Sequence, residues 1–139
     1  NPTVAKLMNA GALELILVPQ GTLAEQIRAK GAGLGGVLTP TGLGTLVQEG
    51  KQVIEVDGKK YILEKPMKAD LAIVEATYAD TFGNGVNIGT TRNFNPLMAL
   101  AADVVVMGTY EVREPGKVDP SSVTIHGVLV DYLVEIVEA

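Results

Sequence analysis

The chain has 139 residues, about one ordinary domain, with 47% hydrophobic residues, no cysteine, one histidine and a net charge of −5. These values exclude a disulfide framework, a thiol nucleophile and a Cys- or His-rich metal site, and the scattered Lys and Arg form no basic stripe for nucleic acid. No apolar run approaches the roughly 20 residues of a membrane-spanning helix and no signal peptide opens the chain, so a single cytoplasmic domain over residues 1–139 is expected.

The predicted elements alternate between strand and helix. Asn1-Pro2 opens a short helical pattern carried by Val4, Leu7 and Met8, an abrupt start that reads as a fragment or a piece of a longer subunit. Leu13–Val18 (LELILV) is an apolar run expected to form a strand buried on both faces, closed by Pro19. Thr22 and Glu25 have capping-box spacing at the head of a helix through Lys30, with Gly31 as its C-terminal stop. A glycine-rich loop follows, Gly31 to Thr45, almost without charge. Val53–Leu63 reads as a hairpin about Asp57-Gly58, expected at the edge of the main sheet. Asp70 precedes a buried strand in LAIVEA, Ala79–Ile88 is turn-rich, and Asn95-Pro96 starts a helix through Ala101. Asp103 precedes the buried strand VVVM, Gly108–Ser122 is loop-like, and a last strand is expected near Val128–Tyr132. The aromatic content of 4% requires an aliphatic core. Together these predict an α/β fold, a mostly parallel sheet flanked by helices with an antiparallel hairpin.

In such sheets ligands gather beyond the carboxyl ends of the strands. Pro19-Gln20-Gly21 falls at one such end, and Asn84 and Asn93 follow another. The Gln20 amide could orient a carboxylate or meet a developing oxyanion, or it could satisfy backbone at the start of the helix. The loop lacks the GK[ST] of a phosphate-binding loop and follows a helix, not a strand, so close approach of main chain to a ligand or a partner suits it better than a phosphate cradle. Thr39 and Thr41 offer hydroxyls on a stiffened turn, for a small acid or for local backbone bonds. Arg92 is a candidate anion holder or a structural ion-pair member, Glu64 a carboxylate fit for chemistry or for a turn contact, and His126 is read as structural. No Ser-His-Asp set, metal cluster or phosphate loop can be assembled from these residues.

The string VPQGTLAEQIRAKGAGLGGVLTPTGLGT, from Val18 to Thr45, resembles the α subunit of the two-subunit family I CoA-transferases. So do LVQEGK at Leu46–Lys51, DGKKYILEKP, ADLAIVEA with the following AD and GN, GTTRNFNP at Gly89–Pro96 and ALAAD at Ala99–Asp103. The likeness runs along nearly the whole chain and is nearest the butyrate/acetate–acetoacetate type. The family's α subunit opens with a strand and loop bearing GGF and then GxP, which this sequence lacks. Val37 stands where many relatives carry an aromatic residue, which bears on the shape of the acyl pocket.

The resemblance implies transfer of CoA between short-chain acyl-CoA or 3-oxoacyl-CoA and a carboxylate such as acetate, butyrate or acetoacetate. The family's nucleophile is a glutamate of an SENG motif on the β subunit, and SENG does not occur here. The chain is thus expected to carry no catalytic residue of its own, no metal and no resident cofactor. Coenzyme A is the expected substrate, and the CoA-transferase β subunit the expected partner in a hetero-oligomer. This chain would contribute the acyl-side wall of an interfacial site, lined by Gln20, Gly21, Gly35, Gly36, Thr39 and Thr41, with the Gln20 amide facing the partner glutamate. Two other readings stand beside this one: a sugar-phosphate sensing or binding module of related fold, and a purely structural partner.

Overall fold

The computed structural model describes residues 1–137. Helix α1 (Pro2–Asn9) begins as expected, with Asn1 Oδ1 accepting from Thr3 N at 2.9 Å, and it buries none of its residues. The expected strand at Leu13–Val18 does not form. Among the described residues no strand pairs with it, and Ile16 and Leu17 are 75% and 79% exposed. An apolar run becomes a strand only where a neighbour completes its ladder, and here none does.

Helix α2 (Gln20–Gly31) begins earlier than predicted, directly after Pro19, and the Thr22–Glu25 capping box is absent. Thr22 lies inside the first turn and is buried, so it cannot serve as the cap. The helix runs through Gly31, and the chain reverses at Gly33. Leu34 N donates to Ala29 O at 2.8 Å and Gly33 N to Lys30 O at 3.1 Å, while Gly33 adopts φ 68°, the left-handed conformation that glycine takes without a Cβ penalty.

Strands β1 (Val37–Thr39), β2 (Val53–Val56) and β3 (Lys59–Glu64) form an antiparallel sheet in the order β1-β3-β2. The hairpin between β2 and β3 turns at Asp57 and Gly58, both at positive φ (50° and 72°), as the Asp-Gly pair predicts. It is not an edge of the main sheet, as expected, but part of this separate one, because β3 takes β1 as its second neighbour.

Strand β4 (Ala69–Ala76) lies parallel to β7 (Ala102–Thr109), which is parallel to β9 (Tyr132–Glu135). Helix α3 (Asn95–Ala101) makes the crossover from β4 to β7 and starts at the predicted Asn-Pro pair. The last strand begins at Tyr132, later than expected, because Gly127–Leu129 is a 3₁₀ turn. A third small sheet joins β5 (Tyr78–Asp80), β6 (Gly85–Val86) and β8 (Val112–Arg113), so the predicted loop over 108–122 contains a short strand. The whole is the α/β architecture the sequence predicts.

The core is aliphatic: Ala72, Val74, Ala76, Ala79, Ala99, Val105, Met107 and Ile125 pack in one cluster. Its small residues let α3 lie close over one face of the parallel sheet. The opposite face is open among the described residues, with Leu71 at 51%, Ile73 at 69% and Tyr132 at 62% exposure. Burial on both faces, expected from the apolar runs, is therefore met on one side only.

Candidate functional site

The N-terminus of α2 and strand β1 face each other across a cleft of about 660 Å³, lined by Pro19, Gly21, Thr22, Glu25, Val37, Leu38, Thr39 and Thr41. Two motifs well separated in sequence, PQGT and LTPT, thus form its two walls. Pro19, at the N-cap, supplies no side-chain acceptor to the first turn of α2. The first intrahelical bond is Leu23 N to Pro19 O at 2.9 Å, which leaves the N–H groups of Gln20, Gly21 and Thr22 directed out of the helix end. An uncapped helix N-terminus favours an anion or an oxygen that gains negative charge. Apart from its chain neighbours and the backbone of α2, nothing lies within 4 Å of where a Cβ of Gly21 would stand, so the chain is open to the cleft at this residue.

Of the predicted residues, Gly21, Thr39 and Thr41 line this cleft. Gln20 is exposed between two lining residues, and its amide makes no hydrogen bond with the described residues. The local-backbone reading of Gln20 is thus not the one its geometry adopts. Thr39 divides its capacity: Oγ1 accepts from Thr41 N at 3.1 Å, which shapes the turn and leaves its own proton to donate. Gly35 and Gly36 stand outside the lining. Gly36, at φ 156°, instead passes main chain against β3, where a Cβ would come within 2.7 Å of Glu64 O. Its role in this chain is close approach to its own backbone.

Sequence reasoning missed Thr22 and Glu25 as lining residues, because it placed both in a capping box. Glu25 is paired with Arg28, whose Nε donates to both carboxylate oxygens at 3.2 Å, so the one carboxylate of the cleft is partly compensated. No Lys or Arg lines the cleft.

Glu64 closes β3 rather than making a turn, and it is 2% exposed. Gln26 Nε2 donates to its Oε2 at 2.9 Å and Lys51 Nζ to its Oε1 at 2.7 Å. Gln26 Oε1 is buried without a partner among the described residues.

The second predicted site, after β5, is built differently. Asp80 Oδ1 accepts from Phe82 N at 3.0 Å and Asn84 N at 2.9 Å, and its Oδ2 accepts from Asn84 Nδ2 at 2.9 Å. Asn84 Oδ1 accepts in turn from Gly127 N at 3.0 Å. Arg92 Nε donates to the Asn87 carbonyl at 2.8 Å, a backbone contact in place of the expected ion pair, which is absent among the described residues. Asn93 is exposed beside it, and exposed His126 borders a cavity of about 440 Å³ with Asp80 and Asn84. Among the described residues no cluster of three or more His, Cys, Asp or Glu could hold a metal ion, and no helix is long and apolar enough to cross a membrane.

Comparison with known proteins matches residues 1–136 to the Coenzyme A transferase family. The chain is 48% identical over 134 residues to the acetate CoA-transferase subunit alpha of Escherichia coli strain K12, covering 96% of this chain and 61% of that one. It is 45% identical over 135 residues to the acetoacetyl-CoA:acetate/butyrate CoA transferase alpha subunit of Clostridium acetobutylicum, covering 97% and 62%. Among solved structures, the acyl-CoA transferase YdiF of E. coli O157:H7, as its thioester complex with CoA, superimposes with a TM-score of 0.85 at 25% identity over 97% of this chain and 30% of that chain. Glutaconate coenzyme A-transferase of Acidaminococcus fermentans shares the fold, with a TM-score of 0.84 at 20% identity over 94% of this chain and 48% of that one. The chain belongs to the CoA-transferase family. It spans about three fifths of the length of these curated relatives.

Proposed function

We propose that this chain is part of the α subunit of a two-subunit CoA-transferase. The enzyme moves CoA between a short-chain acyl-CoA or 3-oxoacyl-CoA and a free carboxylate, with acetate, butyrate and acetoacetate as the substrates to test first. The observation that carries the reading is the cleft where PQGT meets LTPT, with unfilled N–H groups at one wall and its one carboxylate, Glu25, already paired with Arg28. Its relatives are named as α subunits of acetate and acetoacetyl-CoA transferases, which supports the same assignment.

The chemistry divides between two chains. A glutamate of the β subunit attacks the thioester carbonyl, and an acyl-glutamyl anhydride forms as CoA thiolate leaves. The thiolate returns to the glutamyl carbonyl, the first acid departs, and the second acid takes CoA from the glutamyl thioester by the same steps reversed. This chain supplies the acyl-side wall. Gln20 is neutral, so its amide can orient the partner glutamate or hold a developing oxyanion without quenching the nucleophile by charge pairing. The N–H of Gly21 and the hydroxyls of Thr39 and Thr41 complete the polar surface, and Val37 and Leu38 meet the acyl chain. Gly35 and Gly36 act at one remove, by carrying the loop into β1. No permanent cofactor or metal is required, coenzyme A is the substrate, and the compartment is the cytoplasm.

A cleft wall without Lys or Arg disfavours the sugar-phosphate reading, since a phosphate dianion there would meet Glu25 instead of a cation. The test is reconstitution. The purified α subunit carrying this sequence should not exchange CoA between acetoacetyl-CoA and acetate, and addition of the β subunit should produce exchange with ping-pong kinetics. Exchange at enzymatic rates by the α subunit alone, or none in the assembled pair, would overturn the assignment.

A further inference from the structure

Glu64 holds three elements at once. Its side chain accepts from Gln26 of α2 and from Lys51 of the segment before β2. Its residue pairs in register with Val37, the first residue of β1, and its carbonyl lies against the main chain of Gly36. On α2, Gln26 is six residues beyond Gln20, and its carbonyl accepts from Met67 N at 3.0 Å. The Gln26–Glu64 bond joins residues 38 apart in sequence and is buried at both ends. The two elements it ties, α2 and the β1–β3 pair, are those whose facing surfaces form the 660 Å³ cleft.

We propose that Gln26 and Glu64 are positioning residues whose buried hydrogen bond sets the width of the cleft between α2 and β1, and through it the chain length of acid the enzyme accepts. The proposal rests on the reading of that cleft as the acyl-side wall of a CoA-transferase. Neither residue lines the cleft, so neither contacts the acid. Both act through the spacing of Pro19, Gly21 and Thr22 from Val37, Leu38 and Thr39. A buried side-chain bond suits this task because its length is fixed to a few tenths of an ångström, even though the pair borders a separate cavity of about 490 Å³ on the side of Lys51.

The chemistry of the pair separates a strut from a generally stabilising contact. In Glu64→Gln, Gln26 Nε2 still has an oxygen to donate to, and the new amide can donate to Gln26 Oε1, which lacks a partner among the described residues. The strut is kept while the charge is lost, and Lys51 is exposed enough to be hydrated. In Glu64→Ala the strut is cut. In the double variant Gln26→Leu/Glu64→Met it is cut with volume retained, which guards against simple failure to fold.

The experiment uses the α subunit assembled with the β subunit and reads the ratio of kcat/KM for acetate over hexanoate. Since one methylene decides roughly tenfold or more in a fitted apolar pocket, the cut variants should lose about tenfold of that ratio. Glu64→Gln should stay within about twofold of wild type. Hydrogen exchange on the same proteins should quicken at the amides of Thr22–Gln26 and Val37–Thr39 and stay unchanged at Leu71–Ala76. An unchanged ratio in the folded double variant, or a Glu64→Gln ratio displaced as far as that of Glu64→Ala, overturns the proposal. Should the wild-type pair transfer no CoA, the functional reading fails, yet the exchange data still decide the strut: protection in the double variant equal to wild type overturns it.

Discussion

Two polar regions of this molecule use amides in opposite ways. At the head of α2, Gln20 and the first-turn N–H groups are left without partners among the described residues and border an open cleft. Beyond β4 and β5, Asn84, Asn87 and Asn95 spend their side chains on the protein. Asn87 is fully buried: Nδ2 donates to Glu75 O at 2.6 Å and Oδ1 accepts from Thr124 Oγ1 at 2.9 Å. Asn95 Oδ1 accepts from Glu75 N at 3.1 Å, and its Nδ2 donates to Thr91 O at 3.0 Å. Both regions read as strand-to-loop junctions in the sequence, the first with Gln beside Gly and the second with Asn beside Gly. What distinguishes them is satisfaction. A saturated amide holds loops in place, whereas an unsatisfied one at a cavity can still bind.

The largest expected effect on stability comes from the saturated region. Asn87→Ala removes the side-chain donor to the Glu75 carbonyl, while the Thr124 hydroxyl keeps Asn87 N and Gly85 O as partners, and it should cost about 2 kcal/mol, read as a lower urea midpoint at unchanged slope. Turnover per folded molecule should hold. A loss of turnover in a fully folded Asn87→Ala protein would break the comparison, because it would make the saturated cluster part of the site.

Gln20→Ala is the converse. Gln20 is exposed and Ala suits a helix at least as well, so stability should change by less than about 0.5 kcal/mol. In the assembled enzyme, kcat should fall on the order of a hundredfold, the effect of removing one oriented donor from a developing oxyanion. Wild-type turnover in this variant would remove Gln20 from the mechanism and leave the cleft wall to backbone N–H groups.

Much of this was legible in the sequence where the cause is local. The Asp57-Gly58 turn follows from the left-handed conformation those two residues tolerate, and α3 from a proline at its first turn. Both cleft walls, PQGT and LTPT, were readable as loops of unusual composition. The failures are non-local. The apolarity of Leu13–Val18 states a need for burial but cannot name the strand that would meet it. Thr22 and Glu25 fit a capping box by spacing, yet the helix starts at Gln20 because Pro19 already fixes the direction of its first turn. Glu64 gave no signal beyond its position after an apolar strand, since its partner lies 38 residues away on another element. Pairings of this kind are set by topology, which spacing along the chain does not encode.

The smallest expected effect belongs to the exposed rim beside the saturated region, at the 3₁₀ turn Pro120–Ser122. Asp119 accepts from the Ser121 hydroxyl at 2.7 Å, from Ser121 N at 2.9 Å and from the Ser122 hydroxyl at 3.2 Å, and these donors hold its carboxyl below the usual range, the Ser121 hydroxyl most of all. A carboxyl depressed in the folded state adds stability that is complete above its unfolded value and disappears as pH falls through the folded one. Asp119→Asn keeps an acceptor for Ser121 N but loses the charge, so the variant should melt slightly below wild type at neutral pH. The gap in Tm should narrow under acid and close once Asp119 is protonated in both states. At Gln20, which does not titrate, Gln20→Ala and wild type should keep a constant relation across the same pH range. A gap for Asp119→Asn that stayed constant into acid would mean that the carboxylate charge does nothing for the turn, and that shape alone keeps the rim closed.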